Sequence, residues 1–130
     1  MSARATWVGR GLTALPLLFL TFDTAIKLLV LPVAVDATGR LGYAPGTVFA
    51  IGAIEAICLV CYLVPRTALL GAVLLTAYFG GAIATHVRAG SPLFTHTLFP
   101  VYLAVLLWAG LWLRNAQARR AVRTAFAVSV

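Results

Sequence analysis

An all-α integral membrane protein, a four-helix bundle with both termini on the cytoplasmic side, is the fold class predicted by three features of the sequence. They are its scarcity of charge, the length of its uncharged intervals and the lopsided placement of its arginines. Of the 130 residues, 62% are hydrophobic and only 10% charged, where a soluble domain carries about 25%. So few charges cannot supply the polar shell that water requires, and the bilayer becomes the natural solvent.

The spans follow from the uncharged intervals. Between Arg66 and Arg88 no formally charged residue occurs, and a helix over that interval covers about 33 Å, enough for the hydrocarbon core. Between Arg88 and Arg114 the chain is again free of Lys, Arg, Asp and Glu, with Trp108 and Trp112 near its far end, where indole rings favour the interface. Gly11 to Leu31 is interrupted by Asp23 and Lys27, and Thr47 to Val64 by Glu55. Beside two firm spans these apolar runs predict two more, giving four at about 11–31, 47–64, 67–88 and 94–113. The first run is long, contains Asp23 and Lys27 and shows no small-residue cleavage site after them, so it reads as a retained helix and not as a signal peptide.

The formal net charge is +7, and short cytoplasmic loops collect Lys and Arg. With the amino terminus inside, Arg4, Arg10, Arg66, Arg114, Arg119, Arg120 and Arg123 fall on the cytoplasmic side and only Arg40 and Arg88 on the other. The expected location is therefore a bacterial cytoplasmic (inner) membrane, crossed several times. The basic carboxy-terminal cluster suits anionic headgroups, and no nucleic-acid partner is expected. Pro32 to Pro45 reads as the longest loop, with a proline terminating each flanking helix. Pro65-Arg66 is a turn short enough to force an antiparallel hairpin, and Gly90-Ser91-Pro92 makes the third turn. Gly71, Gly80, Gly81, Ala82 and Ala84 predict close helix approach along the third span, and Pro16 and Pro100 predict kinks. No repeat or linker divides the chain, so residues 1–130 read as one domain.

Ionisable groups inside a span are costly and point to a function or to an internal partner. Asp23 and Lys27, four apart, share one helix face and pair. By depth, Glu55 and Tyr78 lie near the middle of their spans, His86 two turns beyond Tyr78, and His96 at the start of the fourth span on the same side. The polar groups thus occupy the middle and outer half of the bundle and apolar residues close the inner half, which predicts a cavity opening outward. Carboxylates, imidazoles and a phenol in a low-dielectric pocket suit general acid and base chemistry. Asp23, Glu55, His86 and His96 are the candidate catalytic residues, and Lys27, Tyr78, Arg88 and Tyr102 the candidate substrate contacts. Each has a plainer reading: Asp23 and Lys27 as a neutralising pair, the two histidines as bridges between helices. A metal would need a third ligand from Glu55 or Asp23, and no ligand motif matches; no metal or bound cofactor is expected. Cys58 and Cys61 lie in the inner half of an apolar helix and read as structural thiols.

Phe22-Asp23 with Lys27, Gly42-Tyr43, Glu55, Pro65-Arg66, the run Ala77 to Arg88, Phe94-Thr95-His96 and Phe99-Pro100 together resemble the DoxX-like family over nearly the whole chain. The resemblance implies a four-helix membrane bundle in which Asp23, Lys27, Glu55, Tyr78, His86, Arg88 and His96 match recurring polar positions. The family takes its name from a small subunit of a membrane thiosulfate:quinone oxidoreductase, so it also implies quinone contact or a redox partner. Two functions are expected from residues and resemblance together. One is binding of a small lipophilic molecule, with acid/base chemistry such as isomerisation, hydration or epoxide opening. The alternative is a non-catalytic quinone-binding or accessory subunit of a membrane oxidoreductase, with a homo-oligomer as a further possible assembly.

The topology is directly testable: alkaline phosphatase fused after Arg123 should be inactive and the same enzyme fused after Ser91 active. The reverse pattern would invert the bundle.

Overall fold

The computed structural model describes residues 2–127; residue 1 and residues 128–130 of the expected 1–130 unit lie outside the described residues. The chain folds as α1 (Ala3–Leu28), α2 (Pro32–Arg40), a 3₁₀ turn (Pro45–Thr47), α3 (Val48–Leu63), α4 (Ala68–Ala89), a π-helical turn (Leu93–Thr97), α5 (Phe99–Arg114) and α6 (Ala116–Phe126), with no strand among the described residues. The four stretches long and apolar enough to cross a membrane are Ala3–Leu28, Pro45–Leu63, Ala68–Ala89 and Leu93–Arg114. The first runs from Ala3 to Leu28 where 11–31 is expected, its start capped by the Ser2 hydroxyl, which accepts from the Ala5 amide at 3.2 Å, and the other three lie within two residues of the expected bounds at each end.

α1 packs against α3 and α5, and α4 against the same two helices, so α1 and α4 stand across the diagonal of a square bundle. In each span no more than 33% of the most apolar window is buried. Trp7, Leu15, Leu18, Ile57, Val73 and Val105 all point outward. An apolar exterior of this kind is suited to lipid. The buried core of Leu20, Leu59, Tyr62, Leu75, Phe79, Leu103, Leu107 and Leu111 fills the half of the bundle that carries the α3–α4 turn. There the Tyr62 hydroxyl donates to the Leu107 carbonyl at 2.6 Å inside the apolar layer, and at its edge the Trp108 indole donates to Thr76 Oγ1 at 2.8 Å, so both polar tips are satisfied.

Three connections differ from their sequence reading. Pro32 does not merely stop α1; it stands at the first position of α2, where its missing N–H needs no partner, and the expected loop becomes a nine-residue helix across one end of the bundle. Val30, at φ 53°, makes the corner between α1 and α2, a conformation that costs a β-branched residue about 1 kcal/mol. Pro100 likewise lies in the first turn of α5, and the irregularity falls just before it, in the π-helical turn. At the opposite end the basic segment is a separate helix. Asn115 Oδ1 caps α6 by accepting from the Ala118 amide at 2.9 Å, Arg119 donates to the Trp112 carbonyl at 2.6 Å, and the Arg123 guanidinium lies 5.5 Å from the centre of the Trp112 ring.

The small residues of α4 divide into two groups. A Cβ on Gly71 would collide with the backbone of Tyr62, so this glycine is what lets α3 and α4 close. At Gly80 and Gly81 a Cβ would meet nothing within 4 Å, so these two do not serve the close approach expected of them. Gly71→Leu is expected to lower stability by about 1–3 kcal/mol through overpacking, whereas Gly80→Ala should hold or raise it. Thermal unfolding in mild detergent reads both.

Candidate functional site

The polar groups of the first three spans meet at one ammonium. Lys27, on the last turn of α1, donates to Asp23 Oδ2 at 2.5 Å, to Glu55 Oε2 of α3 at 3.0 Å and to the Tyr78 hydroxyl of α4 at 3.0 Å. The Tyr78 hydroxyl in turn donates a hydrogen bond to Glu55 Oε2 at 3.2 Å. An ammonium has three N–H donors, and all three are used. The i, i+4 spacing of Asp23 and Lys27 aligns them on one face. Gly52, one turn before Glu55, brings the α1 and α3 backbones close enough for the reach to Glu55: a Cβ there would strike the Lys27 Cβ.

Burial grades the cluster. Glu55 has no exposed side-chain surface, Lys27 retains 14% and Asp23 25%. Glu55 Oε1 is buried without a hydrogen-bond partner, which is costly for a carboxylate oxygen. One cation faces two carboxylates, so with both ionised the cluster carries one negative charge more than it neutralises.

This cluster forms part of the wall of a cavity of about 650 Å³. Most of the remaining wall is apolar and comes from all four spans: Phe19, Leu20, Ile51, Phe79, Phe99 and Leu103. Phe19 and Phe99 meet edge to face with ring centres 4.9 Å apart. Ala77, Gly81 and Ala82 also line the space, so the small residues of the later half of α4 keep volume open. α2 and the segment after it close over one side through Thr38, Arg40, Leu41 and Tyr43. That cover is fastened to α4 by a Tyr43 hydroxyl to Thr85 Oγ1 contact of 2.9 Å and by Arg88, which donates to the Leu41 carbonyl at 2.7 Å.

His86 and His96 line the cavity on the side of the α4–α5 connection, their ring centres 6.0 Å apart. Nδ1 of His86 is engaged by Ser91 Oγ at 2.9 Å and Nδ1 of His96 by Thr95 Oγ1 at 2.8 Å, which leaves each Nε2 for another partner.

Of the sequence-derived candidates, Asp23, Lys27, Glu55 and Tyr78 form one hydrogen-bonded cluster, and His86 and His96 share its cavity. Arg88 and Tyr102 stand apart from the lining: Arg88 braces the cover, and Tyr102 donates to the Phe94 carbonyl at 3.0 Å on an exposed face. The sequence does not place Phe19, Thr38, Arg40, Tyr43, Ser91 or Phe99 among the candidate site residues. Of these, Arg40 carries a signal as one of two arginines, with Arg88, on the side opposite the others, and Tyr43 and Phe99 carry one only as members of family-like motifs.

The sequence profile of the DoxX-like family matches residues 11–110, an interval that contains the whole cluster and every residue lining the cavity. No curated protein and no solved structure matches the chain.

Tyr78→Phe keeps the ring and removes the hydroxyl that both accepts from Lys27 and donates to Glu55. We expect it to cost about 1–3 kcal/mol, the penalty for stranding buried polar groups. Tyr102→Phe, which removes one bond at an exposed site, should cost under about 1 kcal/mol. Unfolding midpoints of the two variants against the parent measure the difference.

Proposed function

The chain belongs to the DoxX-like family, and we propose that it binds a small lipophilic molecule in the cavity and carries out acid/base chemistry on it. In this reading the protein lies in a bacterial cytoplasmic membrane with both ends inside, and the cavity opens to the outer side. One observation carries the proposal: a polar cluster with an unpartnered, fully buried carboxylate oxygen sits in the wall of an otherwise largely apolar cavity of about 650 Å³. A polar group kept without a partner in a membrane span has no structural benefit that a leucine would not better supply.

The geometry divides the roles. Asp23, the exposed member of the carboxylate pair, is the base that reaches the ligand, and Glu55 behind it keeps the site negative. Lys27 spends its three N–H groups inside the cluster, so it orients the carboxylates and does not meet the ligand's developing charge. His86 or His96 supplies the acid from the other side of the cavity: when a hydroxyl donates to Nδ1, the neutral ring carries its proton on Nε2. Tyr78 fixes Glu55, and Arg88 keeps the cover in place. Proton removal on one side of a ligand and proton delivery on the other suit isomerisation, hydration or epoxide opening.

Mass spectrometry of small molecules that copurify with the detergent-solubilised protein tests this. A specific apolar compound should be present in the parent, lost from Gly81→Leu, where the new side chain extends from an open position in the cavity wall, and lost or chemically altered in Asp23→Asn. If only bulk lipid copurifies while a membrane oxidoreductase is retained, the protein is an accessory subunit and the cavity reading is wrong.

A further inference from the structure

Resting on the proposed cavity, the pattern of free hydrogen-bonding capacity specifies the kind of head its ligand carries. Every donor in the cluster is already committed. The three N–H groups of Lys27 go to Asp23, Glu55 and Tyr78, and the Tyr78 proton goes to Glu55. What remains is acceptor capacity: the second oxygen of Asp23, on a side chain with 25% of its surface open, and the unpartnered Oε1 of Glu55. A carbonyl or carboxylate brought here would find lone pairs facing lone pairs. Such an acceptor is better served at the other side of the cavity, where Arg40 and the two imidazoles line the wall.

We infer that the ligand is a lipophilic molecule whose head donates a hydrogen bond, from a hydroxyl or an ammonium group, to the open Asp23 carboxylate, with Glu55 behind it adding acceptor charge. The two heads share one chemistry and differ in charge. With both carboxylates ionised, the cluster holds one uncompensated negative charge and an ammonium completes it. With one proton shared between the carboxylates, the cluster is neutral and a hydroxyl suffices. The apolar body of the ligand lies along Leu20, Ile51, Phe99 and Leu103, and any acceptor at its far end meets the imidazoles.

The test uses one apolar body, phenylbutyl, carrying in turn an amine, a hydroxyl, a methyl ketone and a carboxylate. Binding of each to the full chain in zwitterionic-lipid nanodiscs is measured by calorimetry, with empty nanodiscs subtracted. The amine or the alcohol should bind about tenfold or more tightly than the ketone and the carboxylate, the size of effect expected for a charge-assisted bond to a carboxylate. Asp23→Asn should reduce that preference about tenfold. Amine over alcohol identifies the charged cluster, and alcohol over amine the proton-sharing one; both support the inference. Tightest binding by the ketone or the carboxylate overturns it while leaving the cavity as a binding site. Binding of all four heads that is unchanged in Gly81→Leu shows partitioning into lipid alone and overturns the cavity reading itself. The ranking of heads on the parent protein decides the matter even if Asp23→Asn does not fold.

Discussion

Three helices from different parts of the chain are tied to a single ammonium group, and much of the bundle is arranged around the need to keep that tie intact. Burying one carboxylate in an apolar layer is unfavourable by several kcal/mol unless a cation and further hydrogen bonds accompany it. Glu55 obtains the cation from α1 and the hydrogen bond from α4, the two helices beside its own, and the Lys27–Tyr78 bond joins α1 to α4 across the diagonal. Lys27 in turn cannot leave, because its removal would strand two negative charges. The pair of constraints fixes how α1, α3 and α4 are rotated about their axes, and Gly52 supplies the close approach that makes the reach possible.

From that tie the molecule divides into two halves with different physics. Toward the α3–α4 turn the interior is filled by leucines and aromatics whose few polar tips bond to backbone or to a neighbouring hydroxyl. Toward the other end α4 changes to alanine and glycine, α5 is preceded by a π-helical turn, and the helices do not fill the space between them. The volume so left is walled by phenylalanine and leucine, carries the ionic cluster on one side and two imidazoles on another, and is partly covered by α2. Tyr43–Thr85 and Arg88–Leu41 fasten that cover to α4. A close-packed half supplies the rigidity that an open half lacks, and the cluster stands where the two meet.

How much of this could be read from the residues depended on the range of the interaction. The four spans were legible because absence of charge over some twenty residues is a local property and hydrocarbon tolerates little else. The Asp23–Lys27 pair was legible because helix periodicity alone determines i, i+4 proximity. Its extension to Glu55 and Tyr78 was visible only as a shared depth: depth follows from counting residues, but rotation about each helix axis follows from packing. The sequence of α2 is equally consistent with a loop because Pro32 and Pro45 are as good as stops as they are as first-turn residues, and only the burial of Ala34 and Thr38 decides between them. Arg88 matches the depth of the polar groups yet turns to the Leu41 carbonyl, an acceptor whose position is set by the fold of α2 just before it. Gly80 and Gly81 matched a packing pattern whose partner surface is missing.

The account stands on Lys27 and Glu55 being energetically coupled through the apolar interior. A double-mutant cycle with Lys27→Met, Glu55→Gln and the double variant, read by reversible unfolding in detergent, measures this coupling without reference to any ligand. The structure predicts that each single change is strongly destabilising and that the double variant recovers part of the loss, with a coupling on the order of 1–3 kcal/mol. Strictly additive losses would mean that the two residues do not share the bond on which the fixed helix rotations, the cavity wall and the proposed chemistry all depend.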